Sequence, residues 1–478
     1  MTDMAASPTV PLVVDVDGTL LKSDLLHEAA LQFIARHPFQ TWRLAAWLLQ
    51  GKARLKTELA ARIDPVVESI PVREEIVATM RQAQEEGREV WLASASPRPW
   101  IERVAAHVGH VDGLMASDER TNLAGGNKAA ALVERFGKQG FDYIGDNQVD
   151  MAVWREARRP LLVAHSKGME RSVRQRFPEV DVVARDQRAP RPYVRSLRMY
   201  QWAKNLLVFL PVIAGHRILD PWTILAAVAA FLAFSFAASS AYIINDLLDL
   251  PGDRDHPRKR NRPFAAGQVP VVHGLMLSAV LMIAALTIAT LLPWRFVVVL
   301  CTYVTLTLGY SLLLKRRMLI DVIVLGGLYA IRVLGGVVAT DAYQSPWLLM
   351  FSLFLFLSLA AVKRCSELVA RREAGKPAPL GRGYMIQDLA VLFPLAAAAG
   401  YGSVLVVTLY LSSPEVTQLY THPMRMWLIC PLLLYWISRV LVISNRNELH
   451  DDPVIFALTD RISWAVGALV AVIIAVSV

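Results

Sequence analysis

Beyond about residue 200 this chain is a succession of apolar runs, each near the length that crosses a bilayer. Backbone polar groups inside lipid must bond to one another, so such runs become helices or closed barrels. No regular alternation of apolar and polar residues runs through them, which selects helices. Nine candidate spans are read, at roughly 200–218, 222–246, 272–294, 296–314, 319–340, 346–362, 389–411, 426–444 and 463–478. Lys204 and Asn205 interrupt the first, and the last is short. Residues 1 to about 195 are charged throughout and hold no run of that length. The sequence predicts a soluble domain followed by an all-α, polytopic membrane bundle.

The chain is 54% apolar and 19% charged, yet its formal net charge is +9. In a membrane protein an excess of Lys and Arg belongs in cytoplasmic loops and against phosphates, so no nucleic-acid partner is expected. Basic residues crowd the loops after spans two, four, six and eight: Arg254 to Arg262, Lys315 to Arg317, Lys363 to Arg382, then Arg446 and Arg461. The opposite loops offer Arg217, Arg295 and Arg425. The first set is therefore placed in the cytoplasm, as in a multi-pass protein of the inner membrane. The opening residues lack a signal-peptide pattern, which agrees with a cytosolic first domain. An odd number of spans puts the C-terminus on the far side. Cys301, Cys365 and Cys430 are scattered, without metal or disulfide spacing. No feature fixes an oligomeric state.

The loop "NDLLDLPGDRDHPRKRNRPFAAG", residues 245–267, sets four acids beside five bases between two apolar runs. Asn245 and Asp249 are four apart and share a helix face next to Asp246, and Pro251 lets Asp253 fold back toward them. Clustered carboxylates repel unless a cation lies among them, and hard oxygen donors suit Mg²⁺ that also holds a diphosphate. Arg258, Lys259 and Arg262 are then candidates for the remaining phosphate oxygens. The loop resembles the first aspartate-rich motif of the UbiA superfamily of membrane prenyltransferases, and the resemblance extends from about residue 190 to the end. "RSLRMYQWAKNLLVFLP", "HPRKRNRP", "YSLLLKRRMLIDVIVLGGLYAIRVLGG", "KRCSELV" and "NELHDDPVIFALTDR" are most similar to its decaprenyl-phosphate phosphoribosyltransferase branch. That resemblance implies transfer of 5-phosphoribosyl from phosphoribosyl diphosphate to a polyprenyl phosphate. Many aromatic prenyltransferases of the superfamily carry a second acidic motif near span five. Here Asp321 stands alone behind Lys315, Arg316 and Arg317, which fits a sugar-phosphate donor. The resemblance casts Lys315 as a grip on the 5-phosphate and Asp321 as a stabiliser of the ribosyl carbon or a metal ligand. Lys204, with Asn205, and Arg332 lie in apolar spans and are assigned to the lipid phosphate.

In the soluble half, "VPLVVDVDGTLL" reads as a buried parallel strand ending in Asp15-Val16-Asp17-Gly18-Thr19. Two acids one residue apart can divide labour. The first attacks a phosphoryl group and the second handles the proton of the leaving oxygen. Three features follow in order: "EVWLASAS" ending at Ser94 and Ser96, "GGNKAAAL" with Lys128, and "FDYIGDNQVD" with Asp146 and Asp150. Together they resemble the haloacid dehalogenase (HAD) superfamily, over residues of about 10 to 185. The resemblance implies an α/β Rossmannoid fold with Asp15 as nucleophile and Mg²⁺ ligand and Asp17 as acid/base, its carbonyl on the metal. Ser94 and Lys128 would hold phosphoryl oxygens, and Asp146 and Asp150 would complete and support the metal site. Ser96 is read as structural.

Domain limits are placed at 1–185 for the hydrolase, 186–196 for a basic, Pro-containing linker and 197–478 for the membrane domain. A helical cap is expected over about 24–85, with Phe39, Trp42, Trp47 and Leu48 in its core rather than against lipid or the second domain. Both halves are built for phosphate with Mg²⁺. The expectation is a bifunctional enzyme whose soluble half removes the 5-phosphate that its membrane half attaches to a lipid. One alternative is a prenyl diphosphate donor with an aromatic acceptor. In that case the HAD domain serves an unrelated phosphomonoester or acts as a regulatory module.

Overall fold

The computed structural model describes residues 10–477 except 110, 119–121, 187–188, 343–344, 376, 378–382, 414–419 and 450–451. Lys376 and Arg382 of the expected basic loop lie outside the described residues. The chain divides into two compact units, Met1–Leu197 with Ile243–Leu277, and Arg198–Tyr242 with Ser278–Val478.

The first unit is built on β1 (Leu12–Asp15), β2 (Val90–Pro97), β3 (Gly113–Ser117), β4 (Asp142–Gly145), β5 (Arg159–Ala164) and β6 (Asp181–Arg185). All neighbours are parallel, in the order β3-β2-β1-β4-β5-β6. Every residue of β1 and β4 is buried, as a strand covered on both faces requires. The order reverses direction between β1 and β4. In doubly wound sheets, ligands bind in the crevice outside the carboxyl ends of the strands at that reversal. Asp15 ends β1 and Asp146 follows β4, so two expected metal ligands flank it.

Between β1 and β2 stand α1 (Leu25–Arg36), α2 (Trp42–Leu49) and α3 (Lys52–Ala60). Asp24 caps α1 by accepting from the Leu26 and His27 amides. The helix α4 (Glu74–Glu85) falls in the range expected for the cap, but it packs against β2 and β6 and belongs to the sheet. Of the four aromatic and aliphatic residues read as cap core, Trp47 alone is buried, its ring edge-on to Phe33 at 5.3 Å. Phe39, Trp42 and Leu48 are exposed. α2 is apolar around most of its circumference, and only one side can face inward.

The aspartate-rich segment Ile243–Leu277 was expected with the membrane domain but packs into the first unit. Its anchor is Arg254, whose guanidinium donates to the Glu28 carboxylate of α1 at 2.7 and 3.1 Å. Both side chains are buried. Arg254 Nε donates to the Ala265 carbonyl, and Ser23 Oγ donates to Glu28 at 2.6 Å.

Among the described residues seven helices are long and apolar enough to cross a membrane: Pro221–Leu248, Val271–Ala289, Trp294–Leu312, Ile320–Ala339, Pro346–Glu373, Ile386–Leu411 and Pro423–Asn445. The pair Pro453–Thr459 and Arg461–Ala475, bent by 77°, makes an eighth if counted as one. Among the described residues there are seven or eight spans where nine were expected, and since these two counts differ in parity the placement of the C-terminus no longer follows from the count. The stretch read as the first span is a 3₁₀ segment, Met199–Phe209, followed by the short helix Leu210–Ala214. The stretch read as the ninth is the second arm of the bent pair.

Close packing in the second unit depends on small residues, as helix contacts in lipid do. A Cβ on Gly336 would lie 2.1 Å from the Val208 carbonyl oxygen, whereas one on Gly327 meets nothing within 4 Å. Gly336→Val should therefore lower the thermal midpoint in detergent by an amount matching about 1–3 kcal/mol of overpacking. Gly327→Ala should leave it unchanged or raised, since Ala is the better helix former. Tryptophan fluorescence during heating reads both.

Candidate active sites

The carboxyl end of β1 delivers Asp15 into the crevice of the first unit, and Asp17 follows on a turn through Gly18. Gly18 has φ +79°, and a Cβ there would meet Asp146 Oδ2 at 2.2 Å, so this turn admits no side chain. Lys128, from α6 (Gly126–Phe136), donates to Asp15 Oδ1 at 2.6 Å and to the Tyr143 hydroxyl at 2.9 Å. Tyr143 in turn donates to Asp150 at 2.9 Å. Thr19 Oγ1 donates to the other Asp15 oxygen at 3.1 Å. Asp150 is fixed from the opposite side by the amides of Asp146 and Asn147.

Asp17 is held separately. One oxygen accepts from the Leu25 amide at 2.8 Å, and the other accepts from Ser94 Oγ and Ser96 Oγ, both at 2.8 Å. Ser94, expected on a phosphoryl oxygen, is thus spent on Asp17, and Ser96 shares the task. From the cap, Lys56 donates to the Ala95 carbonyl at 2.5 Å, and burial lowers its pKa.

Asp15, Asp146 and Asp150 offer carboxylate oxygens within 4.8 Å of one another. Burial pushes the Asp15 carboxyl well above the usual carboxylate range despite the pull of Lys128, and the charges of Asp150, Asp146 and Asp17 add to the push. Burial raises Asp150 as well. Lys128 is raised too: burial opposes its charge, but the Asp15 and Asp150 carboxylates outweigh it. The site holds more negative charge than one ammonium balances. Three hard oxygen donors in that state fit a Mg²⁺ ion, which supplies the charge that lets a phosphate approach Asp15.

Behind the crevice, His165 bridges two acids, with Nε2 2.5 Å from Asp146 and Nδ1 2.6 Å from Asp186. Arg73 grips Asp186 and donates to the Gly18 carbonyl at 3.2 Å. Burial disfavours charge on His165, but the two carboxylates prevail and its pKa rises to about 9 from 6.5.

In the aspartate-rich segment a guanidinium lies among the acids assigned to a metal. Arg262 donates to Asp253 at 2.6 Å and to Asp246 at 3.2 Å. Asn245 donates to Asp249 at 3.1 Å, and Lys259 lies 3.9 Å from Asp253. Asp246 and Asp253 are buried. These acids meet no three-donor metal geometry among the described residues, where Asp15, Asp146 and Asp150 do. Arg258 is exposed, and its amide donates to the His256 ring.

The second unit brings Lys204, Asn205 and Arg332 together, as the assignment to one phosphate requires. Lys204 donates to Asp452 at 2.7 Å. Arg332 donates to Asn205 at 2.7 Å and to the Tyr303 hydroxyl at 3.0 Å. Lys363 donates to Asp452 at 2.8 Å, and the Tyr329 hydroxyl donates to it at 3.1 Å. Two ammonium groups share one carboxylate, and Arg332 adds a third positive charge that Asn205 and Tyr303 hold without neutralising, an imbalance suited to an anion. Asp321 is elsewhere, fully buried 2.7 Å from Arg364 and accepting from Tyr384 at 2.5 Å. A carboxylate so enclosed does not present itself to a sugar carbon or to a metal, contrary to its expected role. Lys315 is half-buried in the 3₁₀ turn Leu314–Arg316.

The profile of the UbiA prenyltransferase family matches residues 206–475. This chain belongs to the UbiA prenyltransferase family. Residues 12–155 match the haloacid dehalogenase-like hydrolases, so the UbiA domain is fused to an HAD-like domain. The uncharacterized protein y4nM of Sinorhizobium fredii is 36% identical over 465 residues, 97% of this chain and 90% of its own length. The nodulation protein NoeC of Azorhizobium caulinodans is 33% identical over 273 residues, 56% of this chain and 87% of its own. Decaprenyl-phosphate phosphoribosyltransferase of Mycolicibacterium smegmatis is 36% identical over 211 residues, 43% of this chain and 66% of that enzyme.

Sequence reading missed His165, Asp186, Arg73 and Lys56 in the HAD domain, and Tyr303, Tyr329, Lys363 and Asp452 in the UbiA domain. Lys363 carried a signal: it adjoins Arg364 inside the long apolar helix Pro346–Glu373. Two predictions follow from these contacts. The folded pKa of His165 is raised, so its contribution to stability is complete below pH 6.5 and is lost as pH rises through about 9. Denaturant titrations of the metal-free protein at pH 6 and pH 10 should show wild type losing stability relative to His165→Gln over that window. Glu28→Ala should cost about 3–5 kcal/mol, because it leaves Arg254 a buried, unpaired charge. Glu28→Leu/Arg254→Met should recover most of the loss in the same unfolding assay.

Proposed function

We propose that this chain is a bifunctional enzyme of lipid-linked sugar synthesis. The UbiA domain transfers 5-phosphoribosyl from phosphoribosyl diphosphate to a polyprenyl phosphate, and the HAD domain hydrolyses the 5-phosphate of the product. The observation that carries the reading is the pairing itself. A crevice equipped to hydrolyse phosphomonoesters is covalently joined to a domain 36% identical to decaprenyl-phosphate phosphoribosyltransferase, and such a transferase makes a phosphomonoester. Tethering raises the effective concentration of one site for the product of the other.

In the transfer step an oxygen of the polyprenyl phosphate bonds to the anomeric carbon as the carbon–oxygen bond to diphosphate breaks. The electron pair leaves on the diphosphate. Lys204, Lys363 and Arg332 supply the positive field for the lipid phosphate, and Asn205 and Tyr303 orient Arg332. Arg258, Lys259 and Arg262 are assigned to the diphosphate and Lys315 to the 5-phosphate; Asp246, Asp249 and Asp253, with Asn245, would hold a Mg²⁺ on that diphosphate once Arg262 turns from the acids to the phosphate. Asp321 serves by fixing Arg364.

In the hydrolytic step a carboxylate oxygen of Asp15 attacks the 5-phosphate, and the ribose oxygen leaves with a proton from Asp17. Water then attacks the aspartyl phosphate, giving its proton to Asp17 and releasing inorganic phosphate. Ser94, Ser96 and the Leu25 amide aim Asp17 for both transfers, and Lys128 holds Asp15 in place. Asp15, Asp146 and Asp150 would hold the Mg²⁺.

The test uses purified protein in detergent with Mg²⁺, a polyprenyl phosphate and phosphoribosyl diphosphate labelled on the ribose. Mass spectrometry of the lipid should find ribosyl lipid from wild type and phosphoribosyl lipid accumulating with Asp15→Asn. The dephosphorylated product should fall by roughly 10²-fold or more in that variant, as loss of a nucleophile predicts. Unlabelled lipid from both proteins, with turnover of a prenyl diphosphate instead, would sink the phosphoribosyl assignment. Labelled lipid that keeps its 5-phosphate in wild type would sink the coupling alone.

A further inference from the structure

The cap of the HAD domain turns four large apolar side chains, close together in the sequence, outward. Phe39 is 80% exposed, Trp42 64%, Leu48 51% and Leu49 90%. Single exposed apolar residues are ordinary, but four within eleven positions on a domain of this kind need a cover. The patch has helical order. Trp42, Ala45 and Leu49 are spaced three and four apart on α2 and share one face, while Trp47 on the other side packs against Phe33. α2 is thus apolar outside as well as inside.

The charge around the patch says what covers it. From Ala29 to Thr57 there is no acidic residue; of the bases in that stretch Lys56 turns into the crevice and Arg54 pairs with Glu58, which leaves Arg36, Arg43 and Lys52. Arg36, Lys52 and Arg54 are exposed, and the Arg43 guanidinium lies 5.7 Å from the Trp42 ring. Aromatic and aliphatic residues rimmed by bases match the interface of an anionic bilayer, where rings sit at headgroup level and basic side chains reach phosphates. Eight residues of helix reach only about 12 Å, too short to span, so the element would lie in the interface. A second copy of this chain is a poor cover, because two basic rims would face each other. The bilayer is at hand, since the same chain carries the membrane helices.

We propose that the cap surface of Phe39, Trp42, Leu48 and Leu49 docks into the headgroup region of an anionic membrane, with Arg36, Arg43 and Lys52 on lipid phosphates. The surface would hold the hydrolase cap against the phase in which a lipid-borne phosphomonoester resides. The docking itself stands whether or not the phosphoribosyl reading does.

The test places nitroxide labels on the full chain, reconstituted in phosphatidylcholine vesicles with or without phosphatidylglycerol. Cys301→Ser removes the exposed native thiol, and the remaining cysteines are buried. Labels go at Phe39→Cys, Trp42→Cys or Leu49→Cys, and at Arg81→Cys, an exposed site on α4, as reference. These positions are on the surface, and unchanged melting of each variant in detergent establishes that it folds. The expected result with phosphatidylglycerol is a roughly tenfold lower accessibility to an aqueous nickel chelate at 39, 42 and 49 than at 81, with oxygen accessibility raised. Omitting the anionic lipid should weaken that contrast. Equal chelate access at all four sites would overturn the proposal. So would protection accompanied by spin–spin broadening between labels, which would identify a second copy as the cover.

Discussion

A carboxylate taken out of water must have a cation beside it or give up its charge, and the charged clusters of this chain follow from that constraint. Lys128 stands between Asp15 and Asp150, Arg262 between Asp246 and Asp253, and Arg364 beside Asp321. In the hydrolase crevice the acids outnumber the ammonium, and the surplus is what a divalent cation would neutralise. Around Asp452 the imbalance has the opposite sign, and a phosphate would neutralise it. The sign of the residual charge therefore separates a metal site from an anion site, although both are made of the same kinds of residue.

The same constraint explains why a guanidinium lies among the acids of the aspartate-rich segment. Arg262 lies nine residues beyond Asp253 and sixteen beyond Asp246, and it folds back onto both. Such an arrangement holds the acids in position, and binding of any further cation among them would require a movement of Arg262.

Much of this was legible in the sequence, for reasons particular to each element. Asp15, Asp146 and Ser94 could be placed because each ends an apolar run that only a buried parallel strand explains, and strand ends meet at one edge of such a sheet. The number of spans was less legible, because apolarity does not report whether a helix is continuous. The stretch 200–218 is mostly apolar yet forms 3₁₀ and short helical pieces, and 453–475 is two apolar stretches parted at Asp460 and Arg461, where the helices meet at a sharp bend. Partners distant in sequence were not legible at all. Asp452 is 248 residues from Lys204, and Arg254 is 226 from Glu28. No local pattern marks Glu28 as more than one charge on an amphipathic helix, and its carboxylate proved to be the counter-ion of the aspartate-rich loop.

That ion pair has a consequence for how the chain is made. Synthesis runs from the N-terminus, and domains ordinarily fold as units while the rest is still emerging. Here the HAD domain is unfinished when its last strand leaves the ribosome, because Glu28 awaits an arginine that follows the helix Pro221–Leu248. That helix must be threaded toward the bilayer before Arg254 can arrive. A chain that ends before this segment would leave Glu28 a buried acid without its counter-charge.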